Sequence, residues 1–123
     1  MRKRAFHLLA AGIAGVVLAV STSLASAAEA KKEPTGQDLA FDKKKGNCLA
    51  CHAMPTDPKA VTITNIGPPL MAMKSRFPDR QKLYNQIWDA TAVNQQSAMP
   101  PFGKHLILND KEINKIIDFL YTL

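Results

Sequence analysis

The sequence predicts a small all-α bundle, and three observations carry that reading. Segments 79–92 and 109–121 place apolar residues at helical spacing. No segment shows the apolar/polar alternation of a half-buried strand, and no stretch repeats. The chain has 123 residues and its first 28 read as a leader, so what remains is one small domain.

The leader opens on Arg2, Lys3 and Arg4, runs apolar for 13 residues from Leu8 to Val20, and ends in Ala25-Ser26-Ala27-Ala28. A basic start, a short apolar run and small residues at the cut describe a secretory signal peptide covering 1–28, cleaved after Ala27 or Ala28. A retained membrane anchor is the alternative, but spanning a bilayer takes about 20 apolar residues. No cysteine lies near the cut to take a lipid. The expected location is therefore the periplasm, with no membrane contact after cleavage. The formal charge of +6 includes the three leader cations and no leader acid, so it falls to +3 on maturation. Basicity thus gives no reason to expect a nucleic-acid partner.

Residues 29–37 are polar and lysine-bearing and read as a flexible lead, with the folded domain at 38–123. Asp38 to Lys45 is expected as a short helix: Asp38 or Thr35 caps it, Leu39 and Phe41 are its apolar positions, and Gly46 stops it. Residues 53–67 hold Pro55, Pro58 and Gly67 and read as loop, followed by one or two helical turns at 70–76. In 79–92, Asp79 can cap, while Leu83 with Ile87 and Tyr84 with Trp88 form two rows four residues apart. In 109–121, Asn109 caps with Glu112 three residues on, and Ile113, Ile116, Ile117 and Leu120 fall on one face. Lys111, Asn114, Lys115 and Asp118 fall on the other, wet face.

The chemistry concentrates in Cys48-Leu49-Ala50-Cys51-His52. C-x-x-C-H is the attachment signature of c-type haem. Two thiols form thioethers with the haem vinyl groups, the two-residue spacer aims both sulfurs at one porphyrin edge, and the adjacent imidazole reaches the iron as proximal ligand. Three other readings explain less. A thioredoxin-like pair needs a βαβ context, and no strand pattern precedes Cys48. A zinc site needs four closed ligands, whereas the mature chain offers Cys48, Cys51, His52 and the distant His105. A structural disulfide in an exported chain accounts for the cysteines but not for His52.

An electron-transfer haem commonly takes methionine as its second axial ligand, because a thioether raises the potential. Met54 is only two residues past His52 and is expected to pack in a loop. Met71 and Met73 follow Gly67-Pro68-Pro69-Leu70, whose prolines hold the chain extended, and are expected as core filler. Met99 opens Met99-Pro100-Pro101-Phe102-Gly103, a stiffened stretch without helical periodicity that can wrap the far face of the ring. The expected iron ligands are therefore His52 and Met99, with His105 the next candidate and otherwise a surface histidine.

Helices that frame such a motif resemble the class I cytochrome c fold, a small helical bundle around one covalent haem. That resemblance implies that the first and last helices cross, with Phe41, Ile116, Leu120 and Tyr121 as candidates for the contact. Four blocks narrow it: Gly46-Asn47-Cys48-Leu49-Ala50-Cys51-His52, Gly67-Pro68-Pro69-Leu70, Arg76-Phe77-Pro78-Asp79, and Met99-Pro100-Pro101-Phe102-Gly103. In this order they resemble the X subunits of sulfur-oxidising Sox cytochrome complexes. The first and last recur in many cytochromes c, so the specificity rests on the third block and on the order.

The resemblance implies a periplasmic heterodimer with a SoxA-like cytochrome subunit. Such a complex oxidatively joins thiosulfate to a cysteine of a carrier protein, as an L-cysteine S-thiosulfotransferase. Electrons pass through the haem of the X subunit to a downstream cytochrome, and catalysis belongs to the A subunit. Both cysteines here are committed to haem, so the implied association is noncovalent and no catalytic residue is expected in this chain. Two further readings stay open from the sequence: a free-standing diffusible cytochrome serving a terminal oxidase, and a haem enzyme or sensor with an open distal position. Lys43, Lys44 and Lys45 precede the motif and could steer an acidic partner, or simply form a solvated helix face.

Overall fold

The computed structural model describes residues 32–123, and the expected signal peptide lies outside the described residues. Four α-helices follow in order: α1 at Gly36–Phe41, α2 at Met73–Arg76, α3 at Arg80–Trp88 and α4 at Asp110–Leu120. Short 3-10 turns stand at Cys48–Ala50 and Ala90–Ala92. Among the described residues there is no strand, and no helix is long and apolar enough to cross a membrane.

The first helix is shifted towards the N-terminus of its expected span. It begins at Gly36 because Thr35 and Asp38 form a reciprocal capping box, Thr35 Oγ1 accepting from the Asp38 amide and the Asp38 carboxylate accepting from the Thr35 amide. It ends at Phe41 rather than Lys45 because the Asp42 carboxylate accepts from the Lys44 amide, 2.8 Å away, and so competes with the helical pattern. Order also begins before Asp38. Glu33 pairs with Lys111 and Lys115 on α4, and Lys115 Nζ donates to the Pro34 carbonyl.

Helices α1 and α4 cross at very short range. A methyl group on Gly36 would stand 2.0 Å from the Lys115 carbonyl oxygen, so only glycine admits this approach. The predicted face of α4 is the buried one: Ile113, Ile116, Ile117 and Leu120 are at most 3% exposed and join Leu39 and Ala40 of α1 in the core. Phe41 meets Phe119 edge to face, with centroids 5.9 Å apart. Tyr121, a candidate for this crossing, instead donates its hydroxyl to the Phe77 carbonyl and carries the Arg80 guanidinium over its ring.

Helix α3 buries Leu83 and Ile87 and stacks Tyr84 on Trp88, as the two sequence rows require. Tyr84 donates to Asp110 at the start of α4, and burial together with that carboxylate pushes its phenol up to about 12. The helix stops at Trp88 instead of reaching Ala92. Asp89, 9% exposed, accepts from the Thr91 amide and hydroxyl and pairs with Lys104, so its side chain caps a new turn instead of continuing the old one. Asn109 and Glu112 form the capping box expected for α4.

Candidate functional site: a cofactor cavity behind the Cys-x-x-Cys-His turn

After α1 the chain turns back on itself. The Gly46 amide donates to the Leu39 carbonyl and the Asn47 amide to Asp42. Gly46 must be small, since a methyl group there would lie 2.9 Å from the Leu39 oxygen and 3.2 Å from Cys48 Sγ. Asn47 takes a left-handed conformation, φ 46°, which asparagine tolerates better than most residues. Cys48–Ala50 then makes one 3-10 turn, and the Cys51 and His52 amides both donate to the Cys48 carbonyl. The motif thus sits on its own tight turn rather than at the end of the first helix. Its tightness brings Cys48, Cys51 and His52 to one wall.

That wall bounds a cavity of about 710 Å3, within the range of small-molecule and cofactor sites. Its lining joins the Cys-x-x-Cys-His turn to Leu83 and Ile87 of α3, Ile116 and Leu120 of α4, and Met99, Phe102 and Leu108 of the loop between them. The walls are mostly apolar, and the polar groups are few and placed.

His52 is fixed by Gly67, where the segment read as loop ends, and by Pro68 after it. Its Nδ1 lies 2.7 Å from the Pro68 carbonyl oxygen. A carbonyl can only accept, so Nδ1 carries the hydrogen and Nε2 keeps its lone pair for a metal. Gly67 lies flat against the same ring: a methyl group there would be 2.3 Å from Cε1 and 2.8 Å from Nε2. The Gly67 amide donates to the Cys51 carbonyl at 2.7 Å, which ties this support to the motif itself. The spacer is held from outside by Thr62 and Thr64, whose hydroxyls donate to the Leu49 and Ala50 carbonyls.

Burial pushes the Cys48 thiol up to about 11, with a small further rise from Cys51. A thiol-exchange enzyme needs a readily formed thiolate, so this environment argues against thiol redox chemistry.

Four methionines beyond the expected leader are candidates, and the structure separates them. Met54 is 1% exposed in the core and Met71 is 41% exposed, and neither lines the cavity. Met73 is core filler as expected, though it also touches the cavity, with its sulfur 3.7 Å from Arg76 Nη1. Met99 lines the cavity, half-buried, with the Gln86 amide nitrogen 3.9 Å from its sulfur. His105 is exposed and away from the lining. Cys48, Cys51, His52 and Met99 are therefore gathered on one cavity.

The sequence reasoning missed the Pro68 carbonyl, the Gly67 contact and Gln86. Gly67-Pro68 reads only as the end of a loop running into an extended, proline-held stretch until the ring is seen against it. Gln86 carried a signal, standing three residues after Leu83 on a helix face otherwise apolar at that edge.

Two thiols on a tight turn, an oriented imidazole, a thioether and apolar walls fit a covalently held porphyrin. A helical bundle around such a cavity is the class I cytochrome c fold, and the chain is a c-type cytochrome electron-transfer domain carrying haem c. Residues 35–120 match the family model described as cytochrome c oxidase, cbb3-type, subunit III, and the chain belongs to that cytochrome c family. Among solved structures it is similar to SoxXA from P. pantotrophus, with a TM-score of 0.62 and 24% identity over 74% of this chain and 83% of that one. That likeness establishes the fold. Among curated proteins it is 36% identical over 78 residues to an uncharacterized lipoprotein of Aquifex aeolicus (strain VF5). The match takes in 63% of this chain and only 37% of the relative's length.

Proposed function

We propose that this chain is the monohaem, electron-accepting subunit of a periplasmic SoxXA-type complex, a complex that oxidatively conjugates thiosulfate to a carrier-protein cysteine. The observation that carries the reading is the meeting of Cys48, Cys51, His52 and Met99 on one cavity. Support for the subfamily comes from the ordered blocks ending at Met99-Pro100-Pro101-Phe102-Gly103 and from the shape shared with SoxXA.

Each residue has a defined part. Cys48 and Cys51 hold the group through thioethers. His52 would present Nε2 to the iron, with Pro68 fixing its ring and strengthening its basicity through Nδ1–H. Met99 would supply the sulfur ligand. Haem bound in this way supplies reversible one-electron storage between ferrous and ferric iron. With His52 and Met99 committed to the iron and both thiols to thioethers, the chain would have no cysteine left to carry sulfur. The chain relays electrons, and the sulfur chemistry belongs to a noncovalently bound SoxA-like cytochrome subunit. A downstream cytochrome takes the electrons on. The leader motif and the attachment chemistry support export.

Two measurements test this. The ferric protein shows the far-red sulfur-to-iron absorption band, and Met99→Ala abolishes it; a band unaffected by the substitution refutes Met99 ligation. Purified from its native source, the chain brings down a second exported cytochrome; isolation as a lone monomer refutes the complex. That second outcome would favour electron delivery to a terminal oxidase, a reading the family match also supports.

A further inference from the structure

Gln86 is the polar side chain that faces Met99 from α3. It sits between Leu83 and Ile87 on the cavity side of that helix, and all three line the cavity with Met99. Its amide nitrogen stands 3.9 Å from the Met99 sulfur. A thioether has no hydrogen and can only accept, so a carboxamide beside it must offer N–H rather than oxygen. The helix backbone fixes where that amide starts, and Met99 is held in turn by its own amide donating to Ser97 Oγ at 3.2 Å.

We infer that Gln86 is a positioning residue that sets the reduction potential by hydrogen-bonding the sulfur of Met99. The inference rests on the reading of Met99 as an axial ligand. An N–H aimed at the sulfur draws density from its lone pairs. A poorer donor loses more as a ligand to ferric than to ferrous iron, so the contact favours the reduced form and raises the potential. Hydrogen bonding around an axial ligand is one of the ways a protein tunes such a centre.

Two substitutions separate the hydrogen bond from mere polarity. Gln86→Leu keeps the bulk and removes the donor, while Gln86→Asn keeps the amide but shortens its reach by one methylene. A loss of polarity alone would raise the potential in Gln86→Leu, because an apolar wall disfavours the more charged ferric state, and would leave Gln86→Asn near wild type. The hydrogen bond predicts the opposite sign in Leu and the same direction in both. On purified holoprotein, both variants should favour oxidation by about tenfold, a fall of ~59 mV for a one-electron couple. The far-red band should persist but shift in position. A potential unchanged in both variants, or raised in Gln86→Leu, overturns the inference. If wild-type protein lacks the far-red band altogether, the failure lies with Met99 ligation instead.

Discussion

Gly67→Ala is the sharpest test of how this site is built. Gly67 does not have a positive φ, so alanine meets no backbone penalty and the issue is space alone. The added methyl carbon would sit 2.3 Å from His52 Cε1 and 2.6 Å from Nδ1, where about 3.4 Å is the ordinary limit of contact. The Gly67 backbone cannot retreat, because its amide is bonded to the Cys51 carbonyl at 2.7 Å and Pro68 follows. The imidazole must therefore move by roughly 1 Å. That motion stretches the 2.7 Å contact with the Pro68 carbonyl beyond hydrogen-bonding range. Overpacking of this kind costs about 1–3 kcal/mol and the lost hydrogen bond about 1 kcal/mol. Replacing glycine also stiffens the unfolded chain, which returns about 0.4–1 kcal/mol. The net loss is about 2 kcal/mol, or about 8–16 °C in melting temperature for a domain of this size. A histidine without its Nδ1–H partner is also a less basic ligand, so the potential should rise. Thermal unfolding followed by circular dichroism, together with a redox titration of the same sample, reads both effects. A variant that melts with wild type at an unchanged potential refutes the account of how His52 is held.

Two more expectations follow from charges. Lys43 and Lys44 stand exposed at the cavity mouth, whereas Lys45 is paired with Glu112 at 2.7 Å. Replacing Lys43 and Lys44 with glutamine should slow electron exchange with an acidic redox partner at low salt and leave it nearly unchanged at high salt; stopped-flow rates insensitive at both ionic strengths would remove their steering role. The Lys104 ammonium, followed by the Thr91 hydroxyl, lowers the Asp89 carboxyl to about 2 from its ordinary 3.8. A depressed carboxyl stabilises the fold above its unfolded value, and that contribution is lost as pH falls from about 4 towards 2. Asp89→Asn should flatten this acid limb in denaturant melts at stepped pH, and an equally steep limb in the variant would sink the assignment.

Much of this was legible because the relevant physics is local. The α4 face could be read from spacing, and Asn109 with Glu112 closed the capping box the sequence announces. The attachment turn could be read because its five residues are adjacent. What escaped the sequence was settled between residues far apart or by competing short contacts. The lysines of 43–45 prolong a helical pattern, yet Asp42 takes the Lys44 amide and ends α1 at Phe41. Asp89 does the same to α3, and its carboxylate is held by Lys104, fifteen residues on. The Pro68 carbonyl counts only through the imidazole that folding brings opposite it, and Gln86 shows in the sequence only as a polar residue at the edge of an apolar helix face, without its partner Met99.

The placement of the glycines ties cofactor and fold together. Gly36 lets α1 lie on the Lys115 carbonyl, Gly46 lets the chain pass the Leu39 carbonyl into the attachment turn, Gly67 admits the His52 ring, and Gly103 lies under the Trp88 ring. Gly36 builds the helix crossing, Gly46 and Gly67 position the site, and Gly103 sets the loop before α4 against the end of α3. Leu83, Ile87, Ile116 and Leu120 are core residues and cavity walls at once. Whatever fills that cavity is therefore part of the hydrophobic core, and a group that binds only the folded chain stabilises it by its binding free energy. It follows that the contacts which hold the haem ligands cannot be loosened without loosening the fold. Redox tuning must then come from polar groups at the cavity edge, and Gln86 is such a group.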